Sequence, residues 1–320
     1  MSAVDPIGTE AGWIQPVAQF LTLLAPAEIP VTIRGRAEDF QVRENLSFEP
    51  TGSGEHVFLE IEKIHANTAW VAAQIADFAG IREMDIGYAG RKDRHGVTRQ
   101  WFSCYLPGEN SLNWADMTIE GVRLLQVTRH RSKLRHGEIR CNAFNLTLRH
   151  DALSDAQQED INRRLRSLND TGFPNYFGGQ RFGRDLQNLE LADRLLRQRR
   201  KVGRDRGMAI SAARSWIFNL YLSDAVRDGM TPDPHQVGPL IGKSRDPQPG
   251  ESALDEQMTA WVEGLRRLGA KVSTRPLFIR PGDLSWVFED RETRLSFTLP
   301  AGSYATSLLR EVFIVEDAAA

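Results

Sequence analysis

Strand-like patterns lie at both ends of this chain and helical patterns gather in its middle, an order that constrains the fold more than any other feature. Val31–Arg34 and Glu38–Glu44 read as extended pieces. His56-Val-Phe-Leu-Glu-Ile-Glu-Lys alternates apolar and polar side chains over Val57, Leu59 and Ile61, the period of a half-buried strand. Asn67 or Thr68 can cap a helix whose apolar face holds Trp70, Val71, Ile75 and Phe78, ending near Gly80. A short strand at Ile86–Ala89, a loop through Gly90–Gly96 and a strand from Thr98 to Leu106 follow, then strands over 119–129 and 139–149. The pattern predicts helices over 154–170, 186–201, 211–228 (capped by Ser211) and 252–269. Five prolines in 230–250 read as a linker. Strands return at Leu284–Phe288 and from Thr293, with a short helix after Gly302-Ser303. Residues 1–30 read as a lead-in broken by Pro6, Pro16, Pro26 and Pro30. Neighbouring strands are joined by turns rather than helices, which predicts antiparallel pairing and an α+β layer. The helical stretch near 172–280 then reads as an insertion into a sheet domain with halves at 30–170 and 280–317.

Composition narrows the function. The formal net charge is -2, from 40 Lys+Arg and 42 Asp+Glu, which argues against indiscriminate coating of nucleic acid. The charge is uneven: residues 85–150 carry 11 basic and 6 acidic side chains, leaving room for a local polyanion footprint. Two cysteines, Cys104 and Cys141, are too few for a disulfide framework or a four-cysteine zinc site. No apolar run is long enough for a membrane span, and the first residues lack a signal-peptide pattern. The expectation is a soluble cytoplasmic protein.

The densest chemistry is Tyr88-Ala-Gly-Arg-Lys-Asp-Arg-His-Gly-Val-Thr-Arg-Gln-Trp-Phe. Asp93 stands among Arg91, Lys92, Arg94 and His95 in a loop between strands, where working residues concentrate. A carboxylate kept ionised by cations can act as nucleophile or base, but the same residues also make an ordinary surface turn. Arg129-His-Arg-Ser-Lys-Leu-Arg-His-Gly-Glu-Ile-Arg can track phosphates or form a solvated hairpin tip. The run from Arg197 to Arg206 can do likewise, or complement a helix dipole. Tyr176, Phe177 and Phe182, interleaved with Asn175, Gln180 and Arg181, suit either base stacking or a packing knot. Phosphate-binding glycine-rich loops, G-x-S-x-G and metal-ligand spacings are all absent from the sequence.

At these same residues the chain resembles the TruD family of tRNA pseudouridine synthases. The resemblance rests on Glu38-Asp-Phe-Gln-Val-Arg-Glu, Ala89-Gly-Arg-Lys-Asp-Arg-His-Gly-Val-Thr-Arg-Gln-Trp, Cys141-Asn-Ala-Phe-Asn-Leu, Pro174-Asn-Tyr-Phe-Gly-Gly-Gln-Arg-Phe-Gly, Ser211-Ala-Ala-Arg-Ser and Pro300-Ala-Gly-Ser-Tyr-Ala-Thr-Ser-Leu-Leu-Arg-Glu. These stretches are collinear and run from about residue 31 to 313. The resemblance implies an isomerase (intramolecular transferase) that converts uridine to pseudouridine in tRNA, at position 13, without cofactor, metal, membrane or obligate protein partner. It implies Asp93 as the catalytic residue, attacking the sugar, attacking the base or removing a sugar proton. Phe40, Asn142, Phe144 and Tyr304 correspond to substrate-binding positions; Tyr304 stands where some members have Phe. Arg34, where some members have Lys, corresponds to a basic position that can pair with the carboxylate. The implied fold is α+β: a mixed or antiparallel pseudouridine-synthase sheet domain over 30–171 and 282–317, with a largely helical TruD domain inserted at 172–281.

Two other classes compete. An RNA-binding protein or chaperone would keep the surface without turnover, yet binding a polyanion does not call for the retained Asp93, Asn142 and Phe144. A glycoside hydrolase generally needs two acids flanking one bond, and the sequence offers no evident second acid beside Asp93.

Overall fold

The computed structural model describes residues 20–108 and 112–319; the expected breaks at Pro6 and Pro16 lie outside them. In chain order the elements are β1 (Pro30–Ile33), β2 (Phe40–Leu46), β3 (His56–Ile64), α1 (Thr68–Ala79), β4 (Ile86–Tyr88), β5 (Val97–Tyr105), β6 (Val122–His130) and β7 (Ile139–Arg149). Next come α2 (Asp155–Thr171), β8 (Phe173–Pro174), α3 (Gln187–Leu196), α4 (Arg206–Arg227), β9 (Val237–Leu240), α5 (Glu256–Arg267), β10 (Ser273–Pro276) and β11 (Phe278–Ile279). The last are β12 (Gly282–Phe288), β13 (Glu292–Pro300), α6 (Ala305–Leu309) and β14 (Ile314–Asp317). The fold is α+β.

One unit, residues 29–162, 281–302 and 313–319, is built on a ten-stranded sheet. Its main path runs β12-β13-β7-β2-β5-β3-β6, with β1 between β14 and β7, and β4 on β5. Most pairs are antiparallel, as expected from the turn-joined strands; β2–β5 and β1–β14 are parallel. The parallel contact matters for function, because it brings the β4–β5 loop back beside the start of β2. On one face of the sheet, Val57, Leu59, Ile61 and Phe102 pack against Val71 and Ile75 of α1. Each such fully buried side chain contributes about 1.5–3 kcal/mol. The Asn67 side chain caps α1 by accepting from the Ala69 N–H at 2.9 Å. Trp70 departs from the expected apolar face: it is 44% exposed. One residue is a step of about 100° around a helix, which carries Trp70 off the Val71–Ile75 stripe.

The other unit comprises residues 20–28, 163–280 and 303–312. The observed division therefore runs through α2 and assigns 303–312 to this unit, unlike the boundaries read from the sequence. Its core gathers Leu196 of α3, Trp216 and Phe218 of α4, Trp261 of α5, and the aromatic loop. A Cβ on Gly264 would lie 2.8 Å from Leu196, so glycine lets α5 approach α3 closely. The Trp261 indole donates to Asp193 at 3.0 Å, and Arg197 closes on the same carboxylate.

Two local expectations are corrected, and at the aromatic loop one of the two expected alternatives holds. Helix α4 starts at Arg206, after a 3-10 turn at Gly203–Asp205, and Ser211 lies inside it. The 230–250 stretch is more than a linker: β9 pairs with β10, Val237 opposite Pro276 and Leu240 opposite Ser273. A two-stranded ribbon tolerates prolines because each strand is an edge. The aromatic loop is a packing knot, since Phe173, Tyr176, Phe177 and Phe182 are all buried. The Tyr176 hydroxyl donates to the Leu21 carbonyl, and Arg275 lies 4.0 Å over the Phe177 ring.

Candidate active site

The loop between β4 and β5 is secured by its own backbone. The Lys92 N–H donates to Thr68 Oγ1 (3.1 Å), Thr68 donates to Gln100 Oε1 (2.9 Å), and Gln100 Nε2 donates to the Gly90 carbonyl (3.3 Å). This chain of bonds ties the loop to the first turn of α1 and to β5. At the loop's exit, a Cβ on Gly96 would lie 2.6 Å from the Phe40 carbonyl oxygen. Only glycine allows that approach of loop to strand. Beneath the loop, the wholly buried Lys63 donates to the carbonyls of Ala66 (2.7 Å), Asp93 (2.9 Å) and Lys92 (3.4 Å).

Asp93 emerges from this loop. Its Oδ2 is 3.0 Å from Nη2 of Arg34, which follows β1 in a left-handed backbone conformation (φ 57°). The Arg34 guanidinium also pairs with Asp317 on β14 and lies 4.0 Å over the Phe40 ring. Phe40 meets Phe144 edge-on at 6.3 Å, and Phe144 stacks on Phe297 at 5.2 Å. Strand register explains the gathering. Phe40, Val42 and Glu44 share one face of β2, opposite Leu146, Phe144 and Asn142 of β7. Asn142 Oδ1 accepts from Lys92 Nζ at 2.5 Å, and that ammonium lies 3.0 Å from Glu44 Oε2. Burial pushes the Glu44 carboxyl above its ordinary range, with Lys92 opposing.

The structure thus brings Asp93, Arg34, Phe40, Asn142 and Phe144 together in one unit. Tyr304 belongs to the other. There it precedes α6, its ring 6.2 Å from that of Phe177. Phe40 and Phe144 are buried, so they form a floor rather than an exposed platform. The sequence reading found no second acid near Asp93; the structure brings Asp317 onto the same arginine and Glu44 onto the neighbouring lysine. Both are neutralised by cations. Three contributors go unremarked in the sequence, Glu44, Lys63 and Asp317, while Lys92 stands there only as a cation beside Asp93. Two left a signal, because Glu44 and Lys63 continue the inward-facing alternation of Phe40–Val42 and of Val57–Leu59–Ile61.

The two basic runs resolve differently. Arg129 is taken up by the carbonyls of Gly54, Leu106 and Gly108, whereas Arg131, Arg135 and Arg140 are exposed. In the other unit Arg199, Arg200, Lys201, Arg204 and Arg206 are exposed beyond the end of α3. Among the described residues no group of three or more His, Cys, Asp or Glu side chains is arranged to hold a metal ion. Among them, too, no helix is long and apolar enough to cross a membrane.

A partly open carboxylate beside a buried cation, over an aromatic floor, can serve as nucleophile or base toward a flat polar ring. Residues 21–201 and 250–312 match the family model described as tRNA pseudouridine synthase D (TruD). The tRNA pseudouridine synthase D of Cellvibrio japonicus is 43% identical over 305 residues, covering 89% of this chain and 90% of that protein. That of Nitrosococcus oceani is 40% identical over 329 residues, covering 89% and 91%. The crystal structure of a candidate tRNA pseudouridine synthase D from Methanosarcina mazei superposes with a TM-score of 0.67 at 17% identity, covering 93% of this chain and 96% of that one. At that identity the likeness is one of fold.

Proposed function

The chain belongs to the tRNA pseudouridine synthase D (TruD) family, and on that premise we propose that it isomerises uridine to pseudouridine in tRNA, at position 13, with Asp93 as the catalytic carboxylate. The reaction breaks the bond from the sugar carbon to N1 and makes one from the same carbon to C5. C5 loses its proton and N1 gains one, so atoms balance without a co-reactant. The target base must leave its stack to reach the site. Whether Asp93 attacks the sugar or the base, or takes a sugar proton, the carboxylate has to be ionised and touching the flipped nucleotide.

The Arg34–Asp93 pair carries the reading. It supplies a fixed carboxylate whose charge is balanced from the protein side, leaving its other flank for substrate. Asn142 offers hydrogen bonds to the nucleotide, and Phe40 and Phe144 limit its depth; Tyr304, an aromatic of the helical unit, is assigned to substrate binding on the family resemblance alone. The pseudouridine-synthase domain is the sheet unit and the TruD domain the helical one. Exposed arginines in each unit (Arg131, Arg135 and Arg140; Arg199, Arg200 and Arg204) suit the phosphates of tRNA. A tRNA substrate also fits a cytoplasmic location. The test is pseudouridine mapping of an unmodified tRNA transcript before and after incubation with the protein. Conversion at position 13 is expected; conversion elsewhere alone removes the positional claim, and none at any uridine removes the activity.

A further inference from the structure

We infer that Lys63 is a positioning residue of the catalytic loop: its buried ammonium, gripping the carbonyls of Ala66, Lys92 and Asp93, fixes the backbone from which the Asp93 carboxylate is aimed. The inference rests on the reading of Asp93 as the catalytic carboxylate. Lys63 has no exposed surface, so its charge has no role in binding RNA directly. It occupies the inward face of β3, opposite Thr98 of β5 and Val122 of β6, neither of them ionisable. The charged groups facing it are Asp93 and Lys92, both on the loop, and the Lys92 ammonium is engaged by Glu44 and Asn142. A buried cation is costly unless its protons are used. Here they go to three carbonyl oxygens on two segments, the start of α1 and the Asp93 loop. The loop therefore cannot shift without stranding a buried charge, and Asp93 inherits that rigidity.

Burial pushes the Lys63 ammonium down to about 8, with the Asp93 carboxylate opposing and Lys92 adding. A neutral amine keeps two N–H groups but turns a lone pair toward a ring of carbonyl oxygens, so the grip weakens as pH rises through that value. Global stability moves the other way. The unfolded lysine holds its proton to higher pH, so this group raises stability between about 8 and 10.5.

The test compares the parent with Lys63→Met, nearly isosteric and uncharged, by turnover and by hydrogen exchange. Misplacing a reacting group by an ångström costs up to about 100-fold. The expectation is a fall in kcat of about 10- to 100-fold, KM for tRNA nearly unchanged, and faster amide exchange confined to residues 89–96. The parent's kcat should decline through about pH 8 at constant tRNA affinity and without a fall in melting temperature, a limb that Lys63→Met lacks. Equal kcat and equal loop exchange in the two proteins overturn the inference. If Lys63→Met does not fold, the parent's profile decides alone: a kcat flat from pH 7 to 9, or one falling together with melting temperature, overturns it. A parent without turnover refutes the proposed function instead, and loop exchange then still decides whether Lys63 holds the loop.

Discussion

Arg34 and Asp93 form an ion pair of unequal partners: the arginine side chain is 5% exposed and the aspartate side chain 34%, at 3.0 Å. The cation is enclosed by Phe40 and shared with Asp317, while the carboxylate stays open on one side. That asymmetry separates holding the charge from using it, and the first two predictions follow from it.

Asp93→Asn should lower pseudouridine formation by more than about 10³-fold, equivalent to roughly 4 kcal/mol of barrier. Asn is nearly isosteric and neutral, so folding and tRNA affinity should survive within a few-fold. Turnover, filter binding and thermal melting on one preparation check this. Near-normal turnover would return Asp93 to a surface turn.

Arg34→Met should cost turnover roughly 100-fold, the scale of losing one charged contact at a reacting group. Stability should fall less, because both carboxylates it would abandon are partly exposed. Arg34→Lys keeps the charge and should recover much of the loss. Equal kcat in Arg34→Met and Arg34→Lys would mean that the charge is irrelevant.

Phe144 is 7% exposed and stacked on Phe297, which makes it core as well as candidate substrate contact. Phe144→Ala should cost about 3–5 kcal/mol of stability, and Phe144→Leu less. Denaturant unfolding measures both. A loss in Phe144→Ala below about 1 kcal/mol would contradict the packing described here.

Glu311 predicts a pH effect on stability. It is buried, accepts from the Leu23 and Leu24 N–H groups, and burial pushes its carboxyl up to about 7. The folded value lies above the ordinary 4.5, so the folded state binds the proton more tightly. The contribution is present below about 4.5 and is lost as pH rises through about 7, amounting at most to roughly 3 kcal/mol. Melting from pH 5 to 8 should show the parent losing stability relative to Glu311→Gln, and parallel curves would remove the effect.

tRNA affinity should fall steeply with salt through counterion release. Arg131→Glu with Arg135→Glu should weaken binding and flatten the slope by about 0.7–0.9 per lost phosphate contact. Lys133 is a poorer choice, because its ammonium is taken by the Met84 carbonyl. An unchanged slope would put the RNA elsewhere on the surface.

What could be read in advance was whatever depends on local period. The alternation of Val57, Leu59 and Ile61 and the cap at Asn67 are short-range signals, and both appear in the structure. The glycine-bounded loop around Asp93 is equally local. Partners distant in sequence were invisible. Nothing near Lys63 announces that its ammonium ends under Asp93, and β9 gains its strand character only from β10, more than 30 residues later. Tyr304 was legible as a residue type, but its assignment to the second unit depends on how α6 packs.

The Arg34–Asp317 contact joins residues 283 positions apart. At roughly 5–20 residues per second, a ribosome takes roughly 15–60 s to travel from one codon to the other. Once codon 144 has been read the nascent chain contains Arg34, Asp93, Asn142 and Phe144, but until β14 is made β1 lacks its parallel neighbour and the arginine lacks its second carboxylate. β14 is therefore the last-made of the segments that meet at this site, and the full pairing of the Arg34 charge waits for it.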